Sequence, residues 1–137
     1  MSWSHWGIVG YGIDIDDIFE YINTEKVNKL VRELNPKEEF EEDVFDDDTF
    51  YGNPYQNFGE FLSELDKTNT IIWDDGGDSG KHYFLYCPKY PWQIKNNDPL
   101  SCEDIADRIV DVLTKICDTE VNILRSKIDY ISDYGSG

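Results

Sequence analysis

Asp14, Asp16 and Asp17 stand close enough in the chain to share a hard cation, and Asp74, Asp75 and Asp78 form a second such group. Oxygen ligands of this kind suit magnesium or calcium. Carboxylates at the start of a helix also complement its dipole, and neither group carries the glycine and distal glutamate of a calcium loop, so no metal site is expected. The paired carboxylates of a glycoside hydrolase are not marked out among the 29 acidic residues. Nucleophilic or acid–base catalysis needs a nucleophile, a base titrating near neutrality and an orienting group. The only imidazoles are His5, close to the first residue, and His82, at the start of a β-prone run among aromatics, where a structural role is expected. The stretch GGDSGK resembles a phosphate loop, but Asp75 stands where its first glycine is required and His82 replaces the hydroxyl residue after the lysine. The same stretch joins two β-prone runs, whereas a phosphate loop must open a helix. These residues predict no catalytic group and no cofactor; the expectation is a binding protein, not an enzyme.

Three cysteines, Cys87, Cys102 and Cys117, have neither paired nor metal-type spacing, which points to reduced thiols and a cytosolic setting. Cys102 and Cys117 are expected to share one helix, too far apart to bridge. The first residues do not form a charged-then-apolar leader, and no apolar run approaches the ~20 residues of a membrane span. A chain of 137 residues supports one core, and 15% aromatic residues are too many for a disordered acidic tail.

The elements that would position these groups follow from periodicity. Residues Trp6 to Ile13 (WGIVGYGI) read as a strand whose glycines admit a close neighbour. Asp14 can cap a short helix carrying Ile15, Ile18, Phe19 and Ile22, and Thr24 a second with Val27, Leu30, Val31 and Leu34 inward. Asn53–Pro54 precedes a third apolar stripe of Phe58, Phe61, Leu62 and Leu65. The runs at 70–73 and 83–86 predict a hairpin. The proline-rich stretch that follows reads as a surface connection whose Tyr90 and Trp92 return to the core. Ser101 and Asp104 resemble a capping box ahead of Ile105, Ile109, Val112, Leu113 and Ile116. The alternation of Val121 and Ile123 predicts a further strand, followed by an ordered aromatic tail. The fold class expected is α+β: a single domain over 1–137, with a small antiparallel sheet packed against about four helices and an acidic loop around 37–52.

The formal charge is −17, and Glu33 to Asp66 alone contributes −11 of it, with Lys37 its only Lys or Arg before Asp66. Eight of the eleven residues from Glu38 to Asp48 are acidic: Glu38, Glu39, Glu41, Glu42, Asp43, Asp46, Asp47 and Asp48. Phe40, Phe45, Phe50, Tyr51 and Tyr55 are interleaved with these or follow them, the mixture of charge and rigid ring that interfaces use for steering and anchoring. A solvated loop with its rings turned inward accounts for the same pattern. Asp104, Asp107 and Asp111 fall on one helix face, about one carboxylate per ~5 Å turn, against ~3.4 Å between phosphates on a DNA strand. That row could imitate a nucleic-acid backbone, and an ordinary polar helix face also explains it. Phosphates would be repelled unless a basic patch interrupted the acidic surface, and none is visible in the sequence. The partner expected is therefore a basic protein, with no direct nucleic-acid binding and no membrane association, while exposed aromatics would permit a homodimer.

The opening GYGIDIDDI, the acidic middle EEFEEDVFDDD and the small size resemble proteins of phages and mobile elements of Gram-positive bacteria, among them the anti-CRISPR inhibitors. Several of that class are acidic DNA mimics. The resemblance implies a non-enzymatic inhibitor in the host bacterial cytosol, whose carboxylates meet the arginines and lysines with which a Cas9-type nuclease grips its guide duplex, target or PAM. Glu38 to Asp48 would supply speed of association, with Phe45 and Tyr51 as anchors and the row Asp104, Asp107 and Asp111 as a second acidic surface. An immunity protein neutralising a basic toxin nuclease would show the same charge and class of fold. A divalent-metal enzyme using the aspartate clusters is a third reading.

Overall fold

The structure is a computed structural model and describes residues 5–37, 45–46, 49–50, 55, 58–75, 81–88 and 100–136. Strand β1 (His5–Asp14) leads through two 3-10 turns (Ile15–Asp17 and Phe19–Tyr21) into helix α1 (Thr24–Leu34). Two short strands, β2 (Phe45–Asp46) and β3 (Thr49–Phe50), precede helix α2 (Phe58–Leu65). Strands β4 (Ile72–Asp75) and β5 (His82–Tyr86) follow, then α3 (Cys102–Thr114), α4 (Val121–Ser126) and β6 (Ile128–Ser136). The fold is α+β, as expected: among the described residues, an antiparallel sheet in the order β4-β5-β1-β6 with four helices, while β2 and β3 form a separate two-stranded sheet.

Register explains which residues reach the core. Ile13 lies opposite Phe84 on one side and Ile128 on the other, so the three share a face. All are buried in one cluster with Val27 and Val31 of α1, Phe61 and Leu62 of α2, Ile105, Ile109 and Leu113 of α3 and Leu124 of α4. The opposite face carries a smaller buried cluster of Tyr83, Leu85 and Ile131. Gly12 is opposite Leu85 on that face, and a Cβ there would collide with the backbone of Phe84 and Leu85. Gly10 and Gly12 thus serve the close approach that their spacing suggests. Gly59 does the same for α2: the Trp73 indole of β4 rests where its side chain would stand.

Several local expectations are corrected. Asp14 does cap, its Oδ1 accepting the Asp16 N–H at 3.0 Å, but the segment closes as two 3-10 turns. Ile15 and Ile18 both enter the core there, and Ile22 pairs with Cys117 in an isolated bridge, so tertiary demands override the longer helical spacing. The cap of α1 is Asn23, one residue before Thr24, with Oδ1 accepting from Glu25 and Lys26 N–H at 2.9 and 3.2 Å. Residues Val121 to Ser126 are helix, not strand; only Leu124 of this turn is buried, and Val121 and Ile123 are exposed. The final strand is β6, formed by the aromatic tail. Cys117 lies three residues beyond the end of α3 and does not share that helix with Cys102. Asn53, Pro54, Asp78, Tyr90 and Trp92 lie outside the described residues.

Candidate partner-binding surface

The acidic stretch is bracketed by fixed points. At its start, Asn35 Nδ2 donates to Val31 O at 2.9 Å and to the Tyr55 hydroxyl oxygen at 3.2 Å, which ties the end of α1 to the far side of the stretch. The Tyr55 ring meets Phe61 edge-on at 5.3 Å, and burial, with a hydrogen bond to Glu64, pushes its phenol well above the ordinary tyrosine value. In the middle, the buried Asn28 amide of α1 holds the Phe45 backbone from both ends: Phe45 N–H donates to Asn28 Oδ1, and Asn28 Nδ2 donates to Phe45 O, each at 3.0 Å. Asn28 Nδ2 also donates to Thr24 O at 2.9 Å. A side-chain amide here supplies the donor and acceptor that a neighbouring strand would otherwise offer. Replacing Asn28 with Ala leaves both backbone groups of Phe45 without these partners, and a loss of about 2 kcal/mol is expected in denaturant unfolding. A stability within error of the parent would mean that the clamp is not formed.

Phe45 itself is 2% exposed and stacks on Phe58 at 5.5 Å. It is a core residue, so the expectation that it anchors a partner is corrected: its ring has turned inward because Phe58 and the floor of the cluster offer it more apolar contact than solvent does. Asp46 is on β2, where its backbone pairs with Thr49 of β3. Glu38, Glu39, Glu41, Glu42, Asp43, Asp47, Asp48 and Tyr51 lie outside the described residues.

Asp104, Asp107 and Asp111 are all exposed on α3 as the spacing predicts, and each has a partner within the chain. Asp104 completes the predicted capping box, its N–H donating to Ser101 Oγ at 3.0 Å while Ser101 N–H donates to Asp104 Oδ2 at 3.4 Å. Asp107 forms an ion pair with Arg125 of α4, and Asp111 faces Lys115 at 3.7 Å. Two of the three charges in the row are thereby countered locally, which weakens the field that a mimic of a phosphate backbone would need.

The structure also brings together cations that are dispersed in the sequence. Lys26 and Lys29 of α1 and Lys115 beyond α3 line one open groove of about 280 Å³, with Glu33 at its side. The groove is not a net-basic patch, because Lys26 pairs with Asp118 at 2.6 Å, Lys115 faces Asp111 and Glu33 lines the same groove. The Ile22–Cys117 bridge joins α1 and the end of α3 there, as does Asp118, which also accepts from Asn23 Nδ2 at 2.5 Å. Those two hydrogen bonds, Lys26 first, hold the Asp118 carboxyl below the ordinary aspartate value.

The remaining chemistry-bearing residues have structural surroundings. Asp14 and Asp17 border a second open groove, of about 240 Å³ over Gly12, with Lys81, Lys127 and Asp129. Burial, together with the neighbouring Asp17 and Asp16 carboxylates, raises the Asp14 pKa against the opposing effects of the Asp16 N–H and Lys81. Among the described residues, no three His, Cys, Asp or Glu side chains are arranged to hold a metal ion. The His82 ring stacks on Trp73 at 5.5 Å. Burial pushes the Cys117 thiol up to about 12, and burial with Asp74 pushes Cys87 up to about 11, so neither is a thiolate near neutrality. No helix among the described residues is long and apolar enough to cross a membrane.

Sequence reasoning missed Asn28 and Asp66, the two buried polar residues of the described chain. Asn28 stands within an apolar helix face and Asp66 at the head of a polar turn, and neither local pattern carries a sign of the backbone each must satisfy. Comparison of the chain with protein-family models, with curated proteins and with solved structures gives no significant match.

Proposed function

We propose that this protein is a non-enzymatic acidic inhibitor that binds a basic nucleic-acid-binding protein, and that a Cas9-type nuclease is the first partner to test. The observation that carries the reading is the concentration of charge: −11 of the net −17 falls between Glu33 and Asp66. The chain is fixed to the core within the densest part through Asn28 and Phe45, and outside it through Asn35 and Tyr55. A dense acidic stretch tethered to a folded scaffold loses less entropy on meeting a cationic groove than the same stretch in a disordered chain. Its carboxylates would compete with phosphates for arginine and lysine side chains, and the long-range field would hasten encounter. Protonated thiols on Cys87 and Cys117 and the stacked ring of His82 lend support to binding over catalysis.

The test is binding to a panel of purified basic nucleic-acid enzymes, Cas nucleases and toxin nucleases included, at low and high salt and with or without bound nucleic acid. Neutralising Glu38, Glu39, Glu41, Glu42, Asp43, Asp46, Asp47 and Asp48 to Gln or Asn is expected to weaken binding at least ~100-fold, mostly through the association rate, with prior loading of nucleic acid blocking it. Binding that ignores salt and the eight substitutions would refute the proposal. Partner choice within the panel separates an inhibitor of a Cas nuclease from an immunity protein.

A further inference from the structure

The exposed large hydrophobic side chains of the described residues are Val9, Ile72, Val121, Ile123 and Tyr130. Three of these belong to α4 and β6, and a fourth, Val9, lies on β1, the strand to which β6 is paired. Register places Tyr11 opposite Tyr130 and Val9 opposite Ser132, so Val9 and Tyr130 are diagonal neighbours on one face. Tyr130 is 56% exposed, with Tyr11 meeting its ring edge-on at 5.2 Å. Apolar surface is thus gathered at one edge of the sheet.

That edge is a nine-residue strand, and among the described residues no strand pairs with its outer side. A row of unpaired backbone groups of this length is a template for another strand. The Tyr130 N–H donates at 2.7 Å to Oδ1 of Asp129, a carboxylate that a partner strand's carbonyl would have to displace. Charge decides what kind of strand fits. Val121 to Ser136 carries Arg125 and Lys127 against Asp129 and Asp133 and is neutral, within a chain of net charge −17. A strongly basic partner gains little there, whereas two copies of an acidic protein can meet only on a surface where like charges do not face each other. An edge strand is also self-complementary, because a twofold axis brings it antiparallel to itself.

We propose that two copies associate through β6, strand against strand about a twofold axis, forming one continuous sheet with Tyr130 and Val9 beside the seam. Asp129 guards the edge, since its carboxylate must release the Tyr130 N–H before the partner strand can accept it. This dimer is independent of the acidic-inhibitor reading, and its salt dependence has the opposite sign. Screening the −17 of each copy strengthens self-association, while the same salt weakens attraction to a basic protein.

Sedimentation velocity on the full chain across a concentration series, at low and high salt, tests the proposal. A reversible dimer that tightens with salt is expected. Tyr130→Asp should raise its dissociation constant at least ~10-fold, by placing a charge at an aromatic contact of the seam. Asp129→Ala should lower it roughly 3-fold or more, by freeing the N–H and removing a like charge. Far- and near-UV circular dichroism checks that both variants fold. The proposal fails if the parent and Asp129→Ala are monomeric at every concentration and salt. It fails equally if the dimer is indifferent to both Tyr130→Asp and Val9→Asp, or if assembly grows beyond two copies. A monomeric parent whose binding to a basic protein is weakened by Tyr130→Asp would assign the edge to that partner and overturn self-pairing.

Discussion

Phe45→Ala is expected to cost about 3–5 kcal/mol of stability, the range for removing a fully buried aromatic ring. For a domain of this size that lowers the melting temperature by roughly 10–20 °C. The ring is 2% exposed and stacks on Phe58, which in turn meets Phe61 and Trp73. Its removal leaves a void beside Phe58, which is itself held by Phe61 and Trp73, and beside a backbone clamped by Asn28 of α1, so little collapse can fill it. Thermal and denaturant unfolding of the variant give the number directly. A variant as stable as the parent but weakened in partner binding would return Phe45 to the interface and refute its assignment to the core. Because the acidic stretch runs through this residue, loss of the ring also loosens the fixed point from which those carboxylates are presented.

Asp66→Ala is expected to cost about 2–4 kcal/mol. The carboxylate is 3% exposed and gathers the connection between α2 and β4 around itself. Oδ1 accepts from the Thr68 N–H at 3.0 Å and the Thr68 hydroxyl at 2.6 Å, while Oδ2 accepts from the N–H groups of Thr70 and Ile71 at 3.0 and 2.9 Å. The turn so formed holds Asn69 in the left-handed region, at φ 55°, and delivers β4 so that Trp73 covers Gly59. Burial works against ionisation of Asp66, but the Thr68 hydroxyl and the N–H groups of Ile71, Thr68 and Thr70 outweigh it and hold the carboxyl below the ordinary aspartate value. The sign follows. With the folded pKa below the unfolded one, the contribution is complete above about pH 5, begins to be lost as pH falls through the ordinary aspartate value and is gone below the folded pKa. Stability of the parent should therefore fall more steeply than that of Asp66→Asn as pH drops from about 5 through the ordinary aspartate value toward the lower folded pKa. Parallel curves would show that the carboxylate carries no such linkage.

Much of this molecule could be read from local pattern because the responsible forces are local. The capping box at Ser101 and Asp104 and the apolar stripe that follows it are settled within a few residues, and α3 forms as the spacing predicts. The β-prone runs around Ile72 and Phe84 pair as a hairpin for the same reason, and the glycines of β1 announce a close approach that Leu85 makes. Val121 and Ile123 misled: two apolar residues at alternate positions fit a strand, yet only Leu124 of that turn is drawn into the core, and a short helix docks it against α3 while leaving the other two in solvent.

Composition and order along the chain determined that this is one α+β domain with its negative charge concentrated between Glu33 and Asp66, since helix stripes, strand alternation and charge are all properties of near neighbours. Only the tertiary structure decided which of the charged and aromatic residues remain free for a partner. It turned Phe45 inward, paired Asp107 with Arg125, and gathered Lys26, Lys29 and Lys115 into one groove. Burial and ion pairing depend on residues far apart in the sequence, and no local pattern records which distant side chain will arrive.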